Sequence, residues 1–121
     1  MQQTIDLKSL LAHTNNFGQQ SAAFAMLGLG VTESLISGTR GASEALSEFF
    51  HAENCLFVKQ TLRSRAADEF MSRGVQLTDL FDALPIAEAQ REYQRELALM
   101  RTLCLKLLEK ERSEHSERIA A

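Results

Sequence analysis

Ile86, Ala89, Tyr93, Leu97, Met100 and Cys104 recur along the last third of the chain at steps of three and four, and the series closes on Leu107 and Leu108. That spacing is the period of one helix face. After Pro85 neither proline nor glycine interrupts it. Leu99, Leu103 and Leu105 widen the stripe, and a helix apolar on most sides is buried by more than one neighbour. The pattern predicts a long C-terminal helix from Pro85 to about Arg118. It commits the chain to an all-α fold, a bundle of four to five helices in a single domain over residues 1–121. The whole chain has six glycines and one proline among 121 residues, too few turn formers for a β-rich fold.

The same surplus sets the first functional expectation. If one bundle leaves the stripe around Leu97, Met100, Leu103 and Leu107 uncovered, a second copy is the commonest cover, and the chain is expected to form a homodimer. Beyond Leu108 the sequence turns to EKERSEHSER, with no apolar face. Residues 109–121 are therefore expected as a polar, solvated helix end or a frayed terminus.

Upstream, IDLKSLLAH places Ile5, Leu7, Leu10 and Leu11 at helical spacing. Residues 1–16 are read as a short amphipathic helix or helical arm, ended by Asn15 and Asn16. A buried helix follows from about Gly18 to Ser37. Gly28 and Gly30 inside it each cost about 1 kcal/mol against alanine, so they mark close approach of another backbone or a local break. No strand precedes the Gly-Leu-Gly triplet, which removes the context a nucleotide-binding loop requires. SGTRGAS, residues 37–43, is a linker, with Ser43 expected to cap the next helix and Glu44 favourable in its first turn.

Residues 44–73 carry two apolar phases. Leu46, Phe49, Phe50 and Phe57 point one way, and His51, Cys55, Val58 and Leu62 nearly the opposite way. Either one helix is buried on two sides, or it breaks near Ala52–Asn54, where Asn54 could cap a fresh helix. Arg73 and Gly74 make a plausible C-terminus. VQLTDLFDALP then reads as a short connecting helix capped by Thr78 or Asp79, with Leu80, Phe81 and Leu84 packing inward and Pro85 ending it.

The stretch EFFHAENC carries the strongest hint of chemistry. On a continuous helix His51 and Cys55, four apart, share a face. A structural zinc needs four ligands and a catalytic zinc usually three plus an open position. This pair supplies two, with Glu44 and Glu48 nearby and Glu53 off the face. Two copies brought together would complete four. The competing reading is a half-buried histidine with a hydrogen-bond partner beside a thiol that packs as a small apolar group. Phe49, Phe50, Phe57, Phe70 and Phe81 are read as core, or alternatively as the lining of a small-molecule pocket with His51 and Cys55 at its edge. Cys104 is read as an inert thiol in the apolar stripe. Glu92 and Glu96 among Arg91 and Arg95 read as a salt-bridged, solvated face.

Ala12, His13, Thr14 and the later Gly18 in LLAHTNNFG resemble the phosphoacceptor region of histidine phosphotransfer domains. The resemblance covers about seven residues. It implies a small helical bundle that accepts a phosphoryl group at His13. The family places lysine and glycine three and four residues after the histidine. Asn16 and Phe17 stand there instead, which removes the cation expected to help hold the phosphoryl group.

Charge and composition bound the rest. The net charge is −3 and the arginines are interleaved with glutamates, so no basic stripe suits nucleic acid. The most apolar stretch, residues 22–31, falls well short of the ~20 residues a membrane span needs. MQQTIDLKS lacks the basic and apolar regions of a secretory signal. Two cysteines in such a chain read as reduced thiols. These features predict a cytoplasmic, non-enzymatic protein that acts through protein–protein contacts, as a regulator, adaptor or chaperone-like subunit, with no cofactor. The Phe-lined ligand or metal pocket is the alternative, and phosphotransfer through His13 the third reading.

Overall fold

The computed structural model describes residues 4–12 and 16–120. It is all-α, with no strand among the described residues. The helices are α1 (Leu7–Leu10), α2 (Phe17–Ser37), α3 (Ala42–Glu48), α4 (Ala52–Phe57), α5 (Arg65–Ala83) and α6 (Ile86–Ala120), with a π-helical turn over Val58–Leu62 between α4 and α5. Six helices replace the expected four to five. The long C-terminal helix is present and continues through the polar tail.

α2, α5 and α6 form the scaffold, with α6 packed against both of the others. Its buried face is the predicted one. Leu97, Met100 and Cys104 are fully buried and Leu107 nearly so. The short elements close the remaining side, α3 on α5 and α1 on α4. The centre is aromatic. The Phe24 and Phe70 rings meet edge to face at 5.8 Å, and Phe49 and Phe50 do the same at 5.2 Å. Such pairs add roughly 0.5–1.5 kcal/mol beyond the area they bury.

Two glycines explain how closely the helices approach. A Cβ on Gly28 of α2 would lie 3.0 Å from both the Cys104 sulfur and the Phe70 ring. At Gly74 a Cβ would clash with the edge of the Phe50 ring, at Cε1, Cδ1 and Cζ. Gly74 is therefore a contact point, and the predicted helix end there is wrong: α5 runs on to Ala83. VQLTDLFDA is the second half of α5, and Phe81 stays exposed, edge-on to Tyr93 at 5.3 Å. Gly30 has nothing within 4 Å of its Cβ position, so the close approach expected there is absent from the monomer.

The helix of 44–73 breaks twice. Phe49 and Phe50 are adjacent in sequence and both buried. They lie between the end of α3 at Glu48 and the restart at Ala52, so neither is held to a helix face. The second break follows the π turn, where Arg63 adopts φ 48° and Ser64 caps α5 by accepting the Ala67 N–H. α3 starts earlier than predicted, at Ala42, with the Gly41 N–H donated to the Glu44 carboxylate at 3.1 Å.

Candidate functional site

The restart at Ala52 decides the fate of EFFHAENC. His51 lies outside the helix as its N-cap, with extended backbone (φ −77°, ψ 166°), so it does not share a helix face with Cys55. Its Nδ1 accepts the Asn54 N–H at 3.4 Å, and its Nε2–H donates to the Ile5 carbonyl at 2.9 Å. Both ring nitrogens are engaged, each with main chain. The Cys55 thiol instead faces the Phe50 carbonyl at 3.6 Å. Burial, then the Asp68 carboxylate, pushes its pKa up, the opposite of what a nucleophile or metal-binding thiolate needs. Among the described residues no group of three or more His, Cys, Asp or Glu side chains is placed to hold a metal ion.

Asn54 completes the arrangement, and its role is not visible in the sequence. It is buried, and its amide makes three main-chain hydrogen bonds, using both Nδ2 donors. Oδ1 accepts the Leu7 N–H at 3.1 Å, and Nδ2 donates to the Ile5 carbonyl at 2.9 Å and to the Phe49 carbonyl at 2.8 Å. The Ile5 N–H adds a bond to the Glu48 carbonyl at 2.8 Å. Residues 48–54 thus form a socket that reads the backbone of Ile5 and Leu7. Leu7 and Leu11 are buried in the apolar core, where α1 packs on α4. The helix start inside the segment is set by Asp6, whose carboxylate accepts the Ser9 N–H and hydroxyl. The hydroxyl bond is the main reason the Asp6 carboxyl titrates below its ordinary value. A buried amide stripped of such partners costs about 1–3 kcal/mol per group, so emptying the socket carries a penalty of that order.

The other candidates fall elsewhere. Phe24, Phe49, Phe50 and Phe70 pack on one another, and Phe57 is half-buried against them. A shallow groove beside Cys55 is lined by Lys59, Asp68, Met71, Ser72, Val75 and Gln76, and by no phenylalanine. At about 270 Å³ and open to solvent it falls below the ~300–1,000 Å³ of small-molecule sites. Cys104 lies against Gly28, and burial pushes its thiol up to about 12. Glu96 leaves its own helix face and grips Arg73 of α5 with both carboxylate oxygens, at 3.0 and 2.7 Å, while Glu92 pairs with Arg95 as expected. His13 lies outside the described residues.

The expected association surface needs correction. Leu97 and Met100 are 0 % exposed and Leu107 7 %. These three face the protein's own core, because α2 and α5 together cover the wide stripe of α6. Of the four, Leu103 alone is half-exposed. The larger exposed apolar side chains include Met26 on α2 (66 %), Ile86 at the start of α6 (69 %) and Leu99 on α6. No helix among the described residues is long and apolar enough to cross a membrane.

Comparison with protein-family models, with curated proteins and with solved structures finds no match to this chain.

Proposed function

We propose that this chain is a protein-binding helical module of a reducing compartment, without catalysis of its own, that pairs with a second copy through the outer face of α2. The observation that carries this is Gly30. Glycine in a helix interior costs about 1 kcal/mol. At Gly28 and Gly74 the fold uses that cost for close packing, but at Gly30 the Cβ position opens on empty space. One turn before it stands Met26, 66 % exposed, in the most apolar stretch of the sequence. Ala22, Met26 and Gly30 share that face at four-residue spacing. A small residue flanked by an exposed methionine suits the backbone of an incoming helix. The Glu33–Arg101 ion pair, 2.6 Å long and half-exposed, lies at the far end of the face as a polar rim. Both cysteines are free thiols, which fits a reducing compartment.

Light scattering across protein concentration tests the pairing. The wild-type chain is expected to be dimeric and Met26→Asp monomeric with unchanged helicity. A wild-type chain that stays monomeric up to about 0.1 mM, or a Met26→Asp variant that still pairs, defeats the proposal. Leu99 and Leu103, one turn apart on α6, offer the second face, and loss of pairing in Leu99→Asp but not in Met26→Asp would move the interface there.

A further inference from the structure

Residues 4–11 are held as a bound peptide is held. Every hydrogen bond from the Asn54 amide and the His51 Nε2 to the segment goes to main chain, at Ile5 or Leu7, 46–49 residues away in sequence. The side chains that select the segment are Leu7 and Leu11, both buried in the core, while Asp6, Lys8, Ser9 and Leu10 are exposed. α1 itself is one helical turn, too short to keep its shape away from the protein. Its order is conferred by the site it occupies.

The socket is costly to leave empty. Without Ile5 and Leu7, the buried Asn54 amide would keep the Phe49 carbonyl alone of its three partners. The occupant is therefore best displaced by another main chain that offers the same carbonyl, the same N–H two residues on, and leucines spaced four apart. Every second copy of this chain carries that segment. We propose that the Glu48–Asn54 socket is a peptide-recognition site that accepts residues 4–11 of a second copy, so that two paired copies exchange their first helices. This rests on the self-pairing reading only in that pairing brings the copies together. Residues 12–16 alone separate the segment from α2, the helix of the proposed pairing. Exchange of identical elements costs little, since every hydrogen bond broken within one copy is remade with the other.

Two full-length variants test it. Both keep the wild-type α2 face. One carries Leu7→Asp, which keeps its socket and spoils its segment. The other carries Asn54→Ala, which keeps its segment and spoils its socket. Native mass spectrometry counts mixed pairs against like pairs in their mixture. If α2 pairing alone joins the copies, mixed pairs form at their statistical share. The exchange seats an intact segment in an intact socket only in the mixed pair, so mixed pairs are expected to exceed that share by about tenfold relative to like pairs. A statistical mixture, with both variants keeping their helical circular dichroism, overturns the exchange and leaves α2 pairing untouched. If either variant fails to fold, or the copies do not pair, the wild-type chain decides. Excess peptide of residues 4–12 is expected to speed hydrogen exchange at the Leu7 amide by about tenfold or more, and an unchanged rate overturns the proposal.

Discussion

The α2–α5–α6 scaffold and the N-terminal segment with its socket are secured by different physics. Between the long helices, contact is apolar and close: Gly28 against Cys104 and Phe70, Leu97 and Met100 fully buried. The segment of residues 4–11 is anchored by few apolar side chains and by polar atoms of Asn54 and His51. Apolar contact is non-directional and scales with area, so the scaffold tolerates no substitute for volume. Hydrogen bonds to main chain are directional and can be replaced by water once the segment leaves. The first region should therefore fail with the whole fold, and the second should open by itself.

Phe70 sits where the comparison is sharpest, since its ring meets Phe24, Phe49 and Phe50. Phe70→Ala is expected to cost about 3–5 kcal/mol, and urea unfolding should show one transition displaced as a whole. Loss of one region ahead of the other would show that the aromatic centre does not couple them. Gly74 comes next. Alanine there gains helix propensity but drives a methyl into the Phe50 ring. Overpacking of this kind costs about 1–3 kcal/mol, so Gly74→Ala is expected to destabilise by about 2 kcal/mol. A stabilised variant would mean that Phe50 moves aside freely.

Asn54→Ala tests the second region directly. It strips three hydrogen bonds, but the freed main chain of residues 5–7 can reach water. The cost should stay near 2 kcal/mol and should be local. Hydrogen exchange is expected to quicken at Ile5, Leu7 and Leu11 and to stay unchanged in the buried turns of α6. Equal loss of protection in α6 would merge the two regions into one cooperative unit.

How far the sequence revealed each region follows from the same difference. The period of α6 is readable because one stripe of side chains meets one core, and from about Gly18 to Ser37 an apolar middle, rather than a period, marks the buried helix. What periodicity does not carry is how many neighbours cover a stripe. Leu97, Met100 and Leu107 looked like an association surface because the covering residues of α2 and α5 lie far away in sequence. The two phases of residues 44–73 signal a conflict, with a break near Ala52–Asn54 as one of its two solutions. Asn54 suggests a cap for a helix restarted there, but His51 takes that place, and the partners of Asn54 47 and 49 residues upstream leave no local pattern. Gly74 looked like a helix end because a glycine beside an arginine suits one, and only the Phe50 ring shows that it is an approach site. His51 and Cys55 suggested a ligand pair only as long as the helix was assumed to be continuous.

The smallest expected effect separates the fold from its proposed use. Gly30→Ala adds a methyl where the monomer has open space, at a mid-helix site where alanine is favoured by about 1 kcal/mol. In the isolated chain the variant should be more stable by roughly that amount, opposite in sign to Gly74→Ala. If a second copy packs its helix against Gly30, the same methyl holds the two backbones apart, and pairing should weaken while the monomer gains. Thermal unfolding at low concentration and light scattering at high concentration report the two effects separately. Higher stability with undiminished pairing would mean that the glycine faces solvent in every state, and the α2 interface would then lose the observation on which it stands.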